Sequence, residues 1–288
     1  MQQRLFRQID VFSHHPGFGN PVAVVLDAQG LSDADMRRFA AWTNLSETTF
    51  LMPPTAAGHA AGADYRLRIF SPRGELPFAG HPTLGTCRAW LQQGHTPRVP
   101  GLVVQESAQG LVQIEHQGDT LAFAAPPLQC SKPSPALVPL VASALGLRPH
   151  QIQAAQLLDN GPVWLGLLLD SADTVLGLTP DHARLKDLGQ DVGVIHIAPD
   201  AGANPERPGA VVRAFAAPMG NPEDPVTGSL NASLAQWLIA EGLAPTRYLV
   251  ARGECLGGAG RVYIHQDEQG QVWVGGDCVR VIAGEVDL

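Results

Sequence analysis

The run IFSPRGELPFAGHPTLGT, Ile69 to Thr86, decides how this chain is read. It closes a strand, Tyr65 to Phe70, in which Leu67 and Ile69 alternate with Arg66 and Arg68. The chain turns at Ser71-Pro72-Arg73-Gly74 and becomes helical after Phe78-Ala79-Gly80-His81-Pro82-Thr83. Gly80 puts no side chain over the backbone N–H groups of that turn. Pro82 fits the first helical turn, where no N–H partner is lost. Leu84, Cys87, Ala89, Trp90 and Leu91 then supply an apolar helical run. A helix N-terminus leaving a glycine turn, with an imidazole beside it, suits an anion such as a carboxylate or phosphate.

The second half repeats the device. Gly220-Asn221-Pro222-Glu223-Asp224-Pro225-Val226-Thr227-Gly228-Ser229 follows a strand-like run, Ala210 to Ala216. Leu230, Leu234, Trp237 and Leu238 then recur at helical spacing. Gly80 and Gly228 stand 148 residues apart, close to half of the 288-residue chain. Two such units suggest a duplicated architecture with one site between the halves.

Length and composition set the outer bounds. A chain of 288 residues makes one large domain or two of roughly 140. Its 45% hydrophobic and 16% charged content is globular. Net charge is −8, and no lysine- or arginine-rich run is present, which argues against a nucleic-acid partner. MQQRLFRQIDVF lacks the apolar stretch of a signal peptide, and no window reaches ~18 apolar residues. The expectation is a cytoplasmic protein with no membrane partner. Cys87, Cys130, Cys255 and Cys278 form no CxxC pair, and no HExxH, P-loop or GxGxxG pattern occurs, so neither a disulfide framework nor a metal site is expected.

The remaining chain reads as strands with a few helices. Strands are expected at Leu5–Phe12, Pro21–Leu26, Glu47–Met52, Leu102–Gln105, Leu111–Glu115 and Thr120–Ala124. Ser32 caps a helix whose buried face is Met36, Phe39 and Ala40. Four prolines between 126 and 135 mark the domain boundary. A helix follows, with Leu137, Leu140, Val141 and Leu145 inward and Gly146 as its stop. Strands recur at Ile152–Leu158, Val163–Leu169 and Val194–Ala198, and a short helix runs from Thr179-Pro180 to Gly189. The last strands fall at Tyr248–Ala251, Val262–His265, Val272–Gly275 and Val279–Ile282. Each half is mostly antiparallel strands with about two helices, an α+β pattern without regular βα alternation.

Four residues could carry chemistry. Glu47, in Asn44-Leu45-Ser46-Glu47-Thr48-Thr49-Phe50, is either an exposed strand-end carboxylate or a partly buried general acid/base. His81 is either a core or capping histidine or a proton-transfer group. Asp224 is either a helix N-terminal charge or a hydrogen-bond partner for a substrate amine or hydroxyl. Ser229 can cap a helix, but Gly228-Ser229-Leu230-Asn231 is not the G-x-S-x-G elbow of a serine hydrolase.

Asn44 to Phe50, Phe78 to Thr86, Glu223 to Ser229 and Gly19-Asn20-Pro21-Val22-Ala23-Val24-Val25 together resemble the PhzF-like phenazine-biosynthesis family. Weaker similarity, such as Asn160-Gly161-Pro162 before a strand, extends the match over nearly the whole chain. The resemblance implies a diaminopimelate-epimerase-like fold: two similar lobes, each with strands wrapped around a central helix, and an active site in the cleft. The lobes are expected at residues 1–125 and 130–277, with a C-terminal strand, about 278–288, returning to the first. The resemblance puts the catalytic glutamate at Glu47, with His81 and Asp224 as its catalytic partners. It puts substrate contacts at Asn20, Ser46, Gly80, Thr83, Gly228 and Ser229. It further implies a homodimer and a cofactor-free isomerase that moves a proton on a small carboxylate-bearing substrate. An epimerase or racemase of an amino or hydroxy acid, and a binding protein without turnover, are the alternatives. Related racemases use two cysteines. Here Ala79 takes the place of the first, and Asp224 to Gly228 holds no cysteine, so a two-thiol racemase is disfavoured. Arg252-Gly253 stands where the family often has Gln-Gly, whereas Gly260-Arg261 fits, so contacts around residue 252 are not carried over.

Overall fold

The computed structural model describes residues 2–204, 206–224, 227–252 and 260–288, with main chain only at Met219 and Asn221. Cys255 and the motif positions Pro225, Val226 and Gly253 lie outside the described residues. In chain order the elements are β1 (Gln3–Val11), β2 (Asn20–Val25), α1 (Asp33–Thr43), β3 (Thr48–Met52), α2 (Ala56–Ala60), β4 (Tyr65–Ser71), β5 (Gly74–Leu76), α3 (Gly80–Leu91), β6 (Leu102–Ser107), β7 (Gly110–Gln117) and β8 (Thr120–Ala124). Then come β9 (Gln129–Ser131), α4 (Leu137–Leu145), β10 (Ile152–Asp159), β11 (Val163–Leu169), α5 (Ala172–Leu176), α6 (His182–Leu188), β12 (Asp191–Ile197) and β13 (Ala210–Ala216). The chain ends with β14 (Asn221–Asp224), α7 (Gly228–Ala240), β15 (Arg247–Arg252), β16 (Gly260–Gln266) and β17 (Val272–Asp287). Two compact units emerge: Met1–Ala124 with Gly275–Leu288, and Ala125–Val274.

In the first unit the strands close on themselves. β17 pairs with both β1 and β8, and the circuit runs β17–β1–β2–β3–β4–β6–β7–β8. Helix α3 lies inside, buried from Gly80 to Trp90. A helix enclosed on every side must satisfy its polar groups internally. Thr86 donates to Thr49 at 2.9 Å and to the Pro82 carbonyl at 2.7 Å. Gln105 donates to Thr83 at 3.2 Å and accepts from Tyr65 at 3.1 Å. Gly85 lets α3 approach the wall, because a methyl there would overlap Val22 and crowd Val11. Outside the circuit, α1 covers β3 and β4 through Met36, Phe39, Ala40, Phe50 and Phe70. Ser32 and Asp35 cap it reciprocally, and Asn44, at φ 54°, ends it in the left-handed region.

The second unit repeats this pairing order. β10–β11 is antiparallel, β11–β12 parallel, β12–β13 antiparallel, β13–β14 antiparallel, β13–β15 parallel and β15–β16 antiparallel. The same series describes β1–β2, β2–β3, β3–β4, β4–β5, β4–β6 and β6–β7. Helix α7 holds the place of α3, with Gly193 against Leu230 as the close approach. On the other face, α4, α5 and α6 pack on Leu165, Leu167, Leu169, Val192, Val194 and Phe215. The α+β class, with strands around a central helix in each unit, is therefore the observed fold.

Several local expectations need correction. Leu140 is 51% exposed, whereas Val141, Ala142 and Leu145 form the inward face of α4. The strands expected at Val272–Gly275 and Val279–Ile282 are one strand of 16 residues, β17. The proline-rich boundary contains β9, which pairs with β10, and the Asn221–Asp224 segment pairs with β13. Among its described residues the second unit carries four α-helices, not about two.

Candidate active site

Three side chains of the first unit meet at the start of α3. Gly80 is its first residue and His81 its second, and the preceding Ala79 has no side chain able to cap the helix. The N–H groups of the first turn are therefore not taken by a side-chain cap. Glu47 arrives from the other direction. The left-handed Asn44 stops α1, and the chain passes Leu45 and Ser46 to reach Glu47 just before β3. The main chain there is fixed by a hydrogen bond of 3.4 Å from the Ala23 N–H to the Glu47 carbonyl. Glu47 Oε2 stands 3.2 Å from His81 Nε2, and the two side chains are 16% and 7% exposed.

Asn20 completes the group. It is 2% exposed, and its Nδ2 lies 3.4 Å from His81 Nδ1. An amide donor on Nδ1 leaves the imidazole proton on Nε2, facing Glu47. Asn20 is delivered by the Ser13–Gly19 loop, which two buried carboxylates hold. Asp10 accepts the Gly17 N–H at 2.5 Å, and Asp277 faces His14 Nε2 at 3.2 Å. Asn20 thus supports the histidine from within the protein. Thr83 is fully buried, and its hydroxyl is engaged by Gln105, so that side chain belongs to the interior of the unit. Ser46 is exposed beside Glu47.

The second unit brings together Asp224, Gly228 and Ser229. Gly228 and Ser229 open α7, the counterparts of Gly80 and His81 in α3. The N-cap residue is Thr227, yet its hydroxyl donates to Asp224 Oδ2 at 2.6 Å and makes no cap bond to the helix. Asn160 Nδ2 donates to the Ser229 carbonyl at 2.9 Å. An asparagine therefore contacts the second residue of the central helix in both units, a feature hinted at by Asn20-Pro21 and Asn160-Gly161-Pro162. Arg252, 2% exposed, reaches the carbonyls of Asp224 at 3.2 Å and Thr227 at 3.4 Å. Burial lowers its pKa to about 10 against the raising influence of Asp224 and Glu223, so it is a cation at neutral pH. Arg213 forks onto Glu223 with two bonds of 2.8 Å and braces the strand that ends in Asp224. Sequence reasoning set aside Arg252 and missed Arg213 and Asn160 as anchors.

Among the described residues no thiol stands at the start of α3 or α7. Cys87 and Cys278 are buried, and burial raises both thiols, Cys87 to about 12. Among the described residues no group of three or more His, Cys, Asp or Glu could hold a metal ion. No helix among them is long and apolar enough to cross a membrane.

Comparison with known proteins agrees with this architecture. Residues 9–284 match the PhzC-PhzF family, described as phenazine biosynthesis-like protein. The chain is 32% identical over 276 residues to a trans-2,3-dihydro-3-hydroxyanthranilate isomerase of Pseudomonas aeruginosa, covering 91% of this chain and 90% of that one. It is 40% identical over 196 residues to antisense-enhancing sequence 1 of Schizosaccharomyces pombe, a match spanning 65% of each chain. The crystal structure of the Bacillus anthracis phenazine biosynthesis protein of the PhzF family covers both chains fully, with a TM-score of 0.82 at 22% identity, a likeness of fold. With a closed strand circuit around a buried helix, and relatives named as isomerases, the chain belongs to the PhzF-like phenazine biosynthesis family as an enzyme of the isomerase type.

Proposed function

We propose that the chain is a cofactor-independent isomerase in which Glu47 carries one proton between two carbons of a small carboxylate-bearing substrate. The observation that supports this most is the Glu47–His81 pair: a carboxylate 3.2 Å from an imidazole, both largely withdrawn from water, beside a helix start with no side-chain cap. The Glu47 carboxylate removes a proton from a C–H bond, and the electron pair moves along the adjoining unsaturation. A second carbon then takes the proton back from the glutamic acid. Atoms and charge balance without an oxidant or reductant. His81, with Nε2 facing Glu47, orients the carboxylate, and Asn20 orients the imidazole ring. The N–H groups at Gly80, and those at Gly228 and Ser229, suit a carboxylate, and Asp224 suits an amine or hydroxyl.

Trans-2,3-dihydro-3-hydroxyanthranilate, the compound for which several relatives are named isomerases, is the first probe for the reaction. Incubated with the protein in deuterated solvent, it should be consumed with one deuterium appearing at a ring carbon of the isomerised product. Return of starting material with only an inverted stereocentre would support an epimerase instead. A product that forms with no solvent deuterium at the receiving carbon and, from substrate deuterated at the donor carbon, no transfer of that label would remove the acid/base mechanism. A soluble cytoplasmic homodimer is part of the same proposal, and a monomer by light scattering at micromolar concentration would overturn the dimer.

A further inference from the structure

The structure points to Arg252 as the residue that sets the start of α7 for ligand binding, and we propose it as a positioning residue that keeps Thr227 turned toward Asp224. The inference rests on the reading of the α7 N-terminus as a carboxylate site. Thr227 is an N-cap residue, and its hydroxyl would ordinarily accept an N–H of the first helical turn. Here it donates to Asp224 at 2.6 Å instead, and α7 receives no side-chain cap. Something must hold Thr227 in that state, because capping is the favoured alternative.

Arg252 has the geometry to do so. Its Nη2 holds the Asp224 carbonyl and its Nη1 the Thr227 carbonyl. The Thr227 carbonyl also receives the Asn231 N–H at 3.1 Å and Asn231 Nδ2 at 2.8 Å, so Thr227 is tied to α7 itself. One planar guanidinium thus joins Asp224 and Thr227 to β15. A lysine cannot, since its single ammonium lacks the fixed fork. Arg252 Nε, buried and without a hydrogen-bond partner among the described residues, is the second sign that this cation serves these two carbonyls at a cost in solvation. Arg252 touches no reacting atom in this account. It acts through the main chain of Asp224 and Thr227.

The test compares wild type, Arg252→Lys and Arg252→Ala by amide hydrogen exchange and by titration with anthranilate. Exchange of the Asn231 amide, which is bonded to the Thr227 carbonyl, should rise at least about tenfold in both variants, while α4 and α1 exchange as in wild type. Anthranilate affinity should fall about tenfold or more in both. Millimolar guanidinium ion should restore affinity to Arg252→Ala and leave Arg252→Lys unimproved. Unchanged local exchange in Arg252→Lys would overturn the proposal, and it is decisive even if Arg252→Ala fails to fold. Wild-type affinity in Arg252→Lys would also overturn it, because charge alone would then suffice. If wild type itself ignores anthranilate, the carboxylate reading fails, and the exchange data still judge the clamp.

Discussion

Replacing Gly85 by alanine tests whether α3 is gripped as tightly as the structure indicates. Two effects of opposite sign compete. Alanine is the better helix former, by about 1 kcal/mol in a helix interior. The added methyl, however, would overlap Val22 Cγ1, and it would sit 3.1 Å from Val11 Cγ2 and 3.6 Å from Ile9 Cβ. All three neighbours are fully buried and β-branched, on strands paired on both sides, so none can swing away. Overpacking of this kind costs typically ~1–3 kcal/mol, and a rigid wall puts it at the upper end. The net expectation is a loss of about 1–2 kcal/mol, read as a fall in Tm of roughly 2–6 °C for a chain of this size. Differential scanning calorimetry measures it. A Tm equal to or above wild type would mean that helix propensity wins, and that the barrel wall yields to the helix. The same displacement would move His81 away from Asn20 and Glu47, so proton-transfer activity should fall further than stability.

Asp191 is half-buried, and desolvation pushes its carboxyl up to about 6 from 3.8. The folded state thus pays for its ionisation, with a penalty that is absent below pH 4, grows to about pH 6 and stays constant above. That shift is at most about 3 kcal/mol, and partial solvent access reduces it to roughly 1–2 kcal/mol. Asp191→Asn should therefore stabilise the protein by that amount at pH 7 and not at pH 3.5 in urea melts, and equal effects at both pH values would refute the cause. Glu223→Gln removes the carboxylate that forks onto the Arg213 guanidinium, whose side chain is 8% exposed. It should cost about 3 kcal/mol or more in the same melts, whereas a loss below about 1 kcal/mol would show the pair to be no better than a surface bridge.

What the sequence made legible was local. The glycine turns at Gly80 and Gly228 and the Ser32 cap are signals carried within a few residues, and each begins an element as read. Helix α3 was visible as a helix but not as a fully enclosed one. Its polar residues Thr83, Thr86 and Arg88 look like a solvent face until Gln105, Thr49 and Asp119 are found opposite them. β17 was read as two strands because Gly275-Gly276 breaks its apolar pattern, and only pairing with β1 and β8 shows it to be continuous. Glu47, His81 and Asn20 were each picked from separate motifs. Their meeting depends on contacts between residues 34 and 61 positions apart, which spacing cannot disclose. Arg252 was visible only as a departure from Gln-Gly, and its contacts were not legible for the same reason, since its partners lie 25 and 28 residues earlier.

The most direct test of the whole account is proton exchange by Glu47→Gln. Glutamine keeps the shape of glutamate and can still meet His81, so fold and anthranilate affinity should stay within about twofold of wild type. It cannot carry a proton at neutral pH, and general acid/base catalysis contributes typically ~10²–10⁴-fold. Deuterium transfer to trans-2,3-dihydro-3-hydroxyanthranilate should fall by about 10⁴-fold or more, the top of that range, because one group serves as base and then as acid. A variant that keeps more than about a tenth of wild-type exchange, well short of the ~10²-fold minimum, would contradict the account and shift the proton-carrying role to His81.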